Sequence, residues 1–89
     1  GTPVSVGVLA EVEAAESALR ALGFAELRVR HYRDLARLEV PIGDLAEVVS
    51  RRVEVIEAVR RAGYRYVTLD LEGFRSGNLN AALSGESAT

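Results

Sequence analysis

The stretch LRVRHYRDLARLEVP, residues 27–41, decides the fold. Apolar and polar residues alternate in it with a period of two, first over residues 27–31 and again over residues 36–40, which is the pattern of half-buried strands. A short polar turn at residues 32–34 separates the two runs. Pro41 ends the second run, because proline has no N–H for a strand ladder. Two short strands so close together predict an antiparallel hairpin.

An amphipathic helix is expected on each side of this hairpin. In the first, apolar residues recur at three- and four-residue steps, with Ser5 as N-cap and Gly23 as the C-terminal cap. The second begins at Asp44, where Glu47 three residues later completes a capping box, and it ends at Gly63. The chain therefore offers two helices that can cover a sheet.

A third strand follows the second helix at residues 64–71, where apolar and polar residues alternate again. The order α-β-β-α-β predicts an α+β fold, a two-layer sandwich with two helices packed on one face of a three-stranded sheet. We expect one domain over residues 1–83 and a disordered tail over residues 84–89.

Composition excludes several classes of function. The chain has 89 residues, 48% hydrophobic and 27% charged, which suits one small globular domain. It has no cysteine, which excludes disulfides, cysteine–metal sites and a thiol nucleophile within this chain. A net charge of −2 argues against a nucleic-acid binder. No apolar run approaches the roughly 20 residues of a membrane span, so we expect a cytoplasmic protein with no membrane partner.

The sheet face that the helices leave uncovered is the most informative feature. Its predicted residues are Arg28, Arg30, Arg37, Glu39, Tyr66, Thr68, Asp70 and Glu72. A solvated ladder of opposite charges explains such a face without any function. The alternative is a docking surface or an anion site, because neighbouring arginines repel one another unless carboxylates or a bound anion compensate. The pattern alone leaves both interpretations open.

The residues of the chain make no complete catalytic set. His31 shares the alternation of Val29, which predicts a structural residue at the edge of the core. No serine or aspartate pairs with it by spacing, so a nucleophilic triad is unsupported. Gly73 and Gly77 flank Arg75, but no phosphate-loop motif is present.

Three stretches of the sequence resemble one known family. They are Gly1-Thr2 with Val12-Glu13-x-Ala15-Glu16, then Leu22-Gly23-Phe24 leading into Arg28-Val29-Arg30-His31, and finally YVTLDLEGFRSGNLN at residues 66–80. In this order they resemble the C-terminal region of the LarE-type ATP-dependent sacrificial sulfur transferases, members of the PP-loop (ATP-pyrophosphatase) superfamily. The resemblance covers residues 1–83, and its last stretch is the most specific.

The resemblance implies that the chain is part of a larger enzyme. Members of the family activate a carboxylate of a pyridinium dicarboxylate mononucleotide with ATP and convert it to a thiocarboxylate, using sulfur from their own cysteine. The product feeds synthesis of the nickel-pincer cofactor. ATP and Mg²⁺ are then the cofactors of the parent enzyme, whose N-terminal domain binds ATP, and homo-oligomers are expected. This sequence contains neither the ATP loop nor the cysteine, so the chain alone is expected not to be catalytic.

The resemblance also assigns roles to five residues. Arg28 and Arg30 match basic residues that bind the substrate phosphate, and Arg75 matches the arginine of the motif Asp-Leu-Glu-Gly-x-Arg-Ser-Gly. Glu16 matches an acidic residue of the metal site, and Glu47 falls near another in a stretch of variable length. Geometry supports the arginine pair independently, because strand residues two apart share a face at about 7 Å and forked guanidinium groups suit a phosphate dianion.

The sequence departs from the family at the turn of the hairpin. Tyr32 and Arg33 stand where the family commonly has His-Gly. The alternative function is a stand-alone small α/β binding or protein-interaction module without catalysis, which would use the charged sheet face for a partner or a small anion.

Overall fold

The helices and strands follow one another in the predicted order. The structure is a computed structural model that describes residues 6–74. Its elements are helix α1 (Val6–Ala21), strands β1 (Arg28–Tyr32) and β2 (Leu35–Glu39), a 3-10 turn (Ile42–Asp44), helices α2 (Leu45–Ser50) and α3 (Arg52–Arg61), and strand β3 (Tyr66–Leu69). The predicted α+β sandwich is confirmed, although the second helix is divided and the third strand is shorter than predicted. The predicted domain end at residue 83 and the tail at residues 84–89 lie outside the described residues, as do Ser5 and Arg75.

The three strands form one mixed sheet in the order β1-β2-β3. β1 and β2 pair antiparallel with Arg28 opposite Glu39, which confirms the hairpin. β2 and β3 pair parallel with Arg37 opposite Thr68. Parallel neighbours need a crossover connection, and α2 and α3 provide it. The hairpin therefore supplies the central strand and one edge, and β3 supplies the other edge.

One face of the sheet is buried under the helices. The buried apolar side chains are Ala15, Leu19, Phe24, Leu27, Val29, Ala36, Leu38, Val40, Val48, Val55, Ala58, Val59 and Tyr64. The members from β1 and β2 are the residues that the period of two assigned to the helix side. Burial of each large apolar side chain stabilises the fold by about 1.5–3 kcal/mol relative to exposure. This face therefore holds the domain together and leaves the other free for charged residues.

Helix α2 ends and α3 begins at Arg51, where a single continuous helix was predicted. Arg51 has φ −107° and ψ 32°, outside the helical region. Its guanidinium Nη1 donates to the carbonyl oxygen of Leu22 at 2.6 Å, and the group stacks 5.6 Å from the centre of the Phe24 ring. The break therefore coincides with a contact to the end of α1, which the local sequence does not encode.

The predicted capping box at the start of the second helix is wrong. Asp44 precedes α2, but its side chain makes no capping hydrogen bond. The reason is the 3-10 turn before it, which already places Asp44 in a helical conformation (φ −99°, ψ −3°), whereas a capping residue needs an extended one. Glu47 lies instead near Arg51, with 3.8 Å between Oε2 and Nη1.

Both predicted glycine caps are present. Gly23 and Gly63 have φ of 112° and 121°, which a side chain rarely permits. At Gly63 an added Cβ would lie 2.9 Å from Oε2 of Glu11, so the Glu11 side chain would have to move. The two glycines thus fix where each helix turns back toward the sheet.

The turn of the hairpin carries backbone strain. Arg33 has φ 57°, the left-handed region that favours glycine. The next residue, Asp34, accepts hydrogen bonds at its carbonyl oxygen from the N–H groups of Arg65 and Tyr66, at 2.8 and 3.0 Å. The turn is therefore held in place by the start of β3.

Replacing Arg33 with glycine is expected to raise the free energy of unfolding by up to about 1 kcal/mol, because the left-handed conformation costs a non-glycine residue roughly 1–2 kcal/mol and the added chain freedom offsets part of that gain. Urea unfolding measures it. The matched control is Arg61→Gly in the last turn of α3, which should lower stability by about 0.5–1 kcal/mol. A loss of stability in Arg33→Gly as large as in the control would contradict the strain.

Tyr64, in the connection between α3 and β3, contacts His31 of the edge strand β1. The Tyr64 hydroxyl and His31 Nδ1 are 2.8 Å apart, and the rings meet edge to face with centres 5.4 Å apart. This agrees with the prediction of a structural histidine at the edge of the core. Burial raises the pKa of the buried Tyr64 phenol, and the nearby carboxylates of Glu11 and Glu16 raise it further.

The raised pKa of Tyr64 predicts a loss of stability at alkaline pH. Below the ordinary value of about 10 the phenol is neutral in both states, and the contribution is complete. As pH rises further the unfolded chain releases the proton while the folded chain keeps it, so stability falls until the folded pKa is passed. Tyr64→Phe should lower stability at pH 7 by about 0.5–1.5 kcal/mol and show a smaller loss between pH 9 and 11 than the wild type. Parallel stability curves for the two proteins would refute this.

Candidate functional site

The open face of the sheet, opposite the helices, carries three rows of side chains that run across the strands. The first row is Arg28 and Glu39, the second is Arg30, Arg37 and Thr68, and the third is Tyr32, Leu35 and Tyr66. We call the first two rows the arginine end and the third row the tyrosine end. The open face is thus charged at one end and mostly apolar at the other.

Arg28 and Arg30 leave β1 on the side that the helices do not cover. Val29 between them is buried in the core, whereas the Arg28 residue is exposed and the Arg30 side chain is 42% exposed. The period of two explains this placement, because successive strand residues point to opposite faces. Both guanidinium groups therefore lie on one accessible surface.

Glu39 is the centre of the arginine end. Its side chain is only 7% exposed, and it is the one buried charged residue within residues 6–74. Oε1 accepts a hydrogen bond from Arg30 Nε at 3.2 Å, and Oε2 accepts one from Arg37 Nη2 at 3.0 Å. A buried carboxylate is tolerated when it is paired and hydrogen-bonded on both oxygens. Glu39 therefore holds two arginines of neighbouring strands around a single negative charge.

Asp70 supplies a second carboxylate to the same surface. Its Oδ2 lies 3.9 Å from Arg37 Nε, and its Oδ1 accepts the backbone N–H of Glu72 at 2.9 Å. Part of the arginine charge is therefore compensated internally, as the charge-ladder interpretation predicts.

Arg28 differs from the other two arginines of this surface. Its guanidinium carbon lies 5.5 Å from the centre of the Phe74 ring. Within residues 6–74 no carboxylate forms an ion pair with it. A cation that stacks on an aromatic ring keeps its N–H donors available at the ring's edge. The arginine end therefore retains positive charge on the side of Arg28.

The two predicted metal ligands lie on different helices with separate partners. Glu16 Oε2 accepts the N–H of Val29 at 3.0 Å, and Oε1 lies 3.9 Å from Arg20 Nη2. Glu47 lies on α2 beside Arg51. No group of three or more His, Cys, Asp or Glu side chains within residues 6–74 is arranged to hold a metal ion. Their role as ligands stays a prediction, and Arg75 lies outside the described residues.

Sequence reasoning placed Arg37 and Glu39 on the open face but did not include them in the site. Alternation reveals which face a residue occupies, and it cannot reveal which residue stands opposite. The register puts Arg37 directly across from Arg30, where the two positive charges repel each other. Glu39 supplies the negative charge that offsets this repulsion.

None of the helices in the described part of the chain is both long and apolar enough to cross a bilayer.

Known proteins resemble this chain over most of its length. It is 43% identical over 84 residues to the pyridinium-3,5-bisthiocarboxylic acid mononucleotide synthase of Lactiplantibacillus plantarum, covering 94% of this chain and 30% of the synthase. It is 40% identical over 86 residues to an uncharacterized protein of Synechocystis, covering 94% of the chain and 32% of that protein. An uncharacterized protein of Methanocaldococcus jannaschii is 32% identical over 73 residues, covering 82% of the chain and 29% of that protein. No protein-family model matches the chain.

The chain thus spans about a third of the length of the curated relatives that it matches. A match of this extent is consistent with the C-terminal region of a longer protein. The resemblance seen in the sequence is confirmed, and the chain is related to a LarE-type sulfur transferase, the pyridinium-3,5-bisthiocarboxylic acid mononucleotide synthase.

Proposed function

We propose that this chain is the C-terminal part of a sulfur transferase that converts a pyridinium carboxylate mononucleotide to a thiocarboxylate for nickel-pincer cofactor synthesis. Within that enzyme its role is to bind the substrate phosphate through Arg28 and Arg30, with Arg75 as a further contact. The observation that carries the proposal is the arginine end of the open face, together with 43% identity to the synthase.

The chemistry of the two arginines suits a phosphate monoester. The hydrogen bond between Arg30 and Glu39 uses Nε, and the guanidinium group has two further nitrogens that can donate. Within residues 6–74 no carboxylate forms an ion pair with Arg28, so a phosphate that binds there displaces none. Forked donors from two arginines about 7 Å apart match the several oxygens of a phosphate dianion better than ammonium groups would.

Binding of the substrate phosphate positions a part of the substrate that lies away from the phosphate. The phosphate does not react in a carboxylate thiolation, so its binding energy is available to hold the reacting carboxylate in position. This chain has no cysteine, and therefore the sulfur comes from another part of the parent or from a partner. We propose that ATP and Mg²⁺ bind in an N-terminal domain of the parent, and that this chain binds and orients the substrate without reacting itself.

The described residues do not form a metal site on their own. One oxygen of Glu16 is already hydrogen-bonded to the backbone of β1, and Glu47 is an exposed residue that lies beside a cation. A metal role for them would require ligands from outside residues 6–74. We therefore assign no step of the reaction to a metal ion bound by this chain.

A second candidate role is contact with other protein surfaces. Ile42, Val49, Val53 and Leu71 are large apolar side chains that are more than half exposed. They support contact with the rest of the parent or with further copies in a homo-oligomer, and they equally suit a stand-alone interaction module. The first function requires phosphate binding at Arg28 and Arg30, whereas the stand-alone module does not, so failure to bind phosphate there would exclude the first function. The cytoplasmic location remains a prediction.

Inorganic phosphate is expected to bind the chain, and Arg28→Ala/Arg30→Ala should weaken it by at least about tenfold, since each charged hydrogen bond contributes roughly 1.5–3 kcal/mol. Isothermal titration at low ionic strength measures the affinity. The charge-matched control is Arg60→Ala/Arg61→Ala on α3, which should keep the affinity of the wild type. Equal loss in the two double variants would show that the effect is net charge and would remove the site.

Replacing Glu39 with glutamine is expected to lower the free energy of unfolding by about 1–3 kcal/mol, because two arginines lose their shared negative charge. Phosphate should restore more stability to this variant than to the wild type, since a bound anion takes over the compensation. Thermal unfolding in phosphate and in chloride at equal ionic strength tests both effects. Glu57→Gln, at an exposed pair on α3, should change stability by less than about 0.5 kcal/mol. If phosphate stabilises wild type and Glu39→Gln equally, the anion does not lie beside Glu39.

A further inference from the structure

We propose that the tyrosine end of the open face receives the pyridinium ring of the mononucleotide whose phosphate lies on the arginine end. Tyr32, Leu35 and Tyr66 would then determine which base the site accepts. This inference rests on the proposed function, because it concerns the other half of the same ligand.

The tyrosine end is an apolar strip on an otherwise charged surface. Tyr32 stands opposite Leu35 on β2, and Leu35 stands opposite Tyr66 on β3. The two tyrosines are 51% and 49% exposed. Strands lie about 4.8 Å apart, so three neighbouring side chains make a strip about 10 Å wide. A surface of this size and character can hold one flat aromatic ring.

The distance from this strip to the arginine end fits one small molecule. Tyr32 follows Arg30 by two residues on the same face of β1, a separation of about 7 Å along the strand. A ribose separates the phosphate of a mononucleotide from its base by a comparable distance. The open face therefore offers an anion site and a ring site at the spacing of a single mononucleotide. Charge complementarity places the negative phosphate at the arginine end, which leaves the tyrosine end for the ring.

Each tyrosine ring has a guanidinium group over one of its faces. Arg37 lies 5.3 Å from the ring centre of Tyr32, and Arg65 lies 5.5 Å from the ring centre of Tyr66. About half of each tyrosine remains exposed beside that guanidinium group. The exposed part of the ring attracts a cationic ring such as pyridinium, and the guanidinium group can donate to a carboxylate carried on that ring. The strip therefore suits a pyridinium ring with carboxylate substituents better than a neutral, unsubstituted base.

The test compares two ligands on the same chain by isothermal titration: nicotinic acid mononucleotide, which has a pyridinium carboxylate ring, and ribose 5-phosphate, which lacks a base. The wild type should bind the mononucleotide about three- to tenfold more tightly, the effect expected for one aromatic contact. Tyr32→Ala should remove that preference and leave ribose 5-phosphate binding unchanged, whereas Tyr32→Phe should keep it. Tyr66→Ala provides a second variant, and Leu9→Ala, at an exposed residue of α1, is the control.

Three results would overturn the inference. Equal affinity of the wild type for the two ligands would show that the ring makes no contact. An equal loss for both ligands in Tyr32→Ala would show that the tyrosine acts on the arginines. If neither ligand binds, the phosphate site itself fails, and the proposed function and this inference fall together. Binding of ribose 5-phosphate without any preference for the mononucleotide keeps the proposed function and removes only the ring site.

Discussion

The buried carboxylate of Glu39 is the interaction on which the open face depends. The register of the hairpin places Arg30 directly across from Arg37, and like charges in opposed positions destabilise a pair of strands. Glu39 resolves this conflict by accepting one hydrogen bond from each, at 3.2 and 3.0 Å. The desolvation of the carboxylate is offset because both its oxygens are engaged by cations. One negative charge thereby stabilises the register and fixes two guanidinium groups on an accessible surface.

The two faces of the sheet contribute differently to the protein, one to its stability and the other to its candidate site. The helix side provides stability through apolar burial, and a few polar contacts fix its geometry, among them the hydrogen bond from the Val29 amide to Glu16. The open face contributes little burial and is free to carry ligand-binding groups. Successive residues of β1 alternate between these faces. Burial of Val29 in the core therefore directs its neighbours Arg28 and Arg30 to the open face. A change of register by one residue would exchange the two faces and abolish both the core and the site.

Much of the fold and part of the site could be predicted from the sequence. The period of two was sufficient to assign Arg28 and Arg30 to the open face, because side-chain alternation is a local property. The capping box at Asp44 and the continuous second helix were wrong, since a 3-10 turn and the contact of Arg51 with the end of α1 depend on tertiary structure. Strand order and the pairing of Glu39 with two arginines were equally inaccessible, because both require knowing which strands are neighbours. The metal-ligand prediction for Glu16 and Glu47 rests on resemblance alone.

An NMR titration with inorganic phosphate decides whether Arg28 and Arg30 form an anion site on the open face. We expect saturable shifts of the Nε–Hε signals of these two arginines, while those of Arg60 and Arg61 on α3 change little. Shifts of equal size on α3, or shifts that increase linearly without saturation, would contradict the anion site.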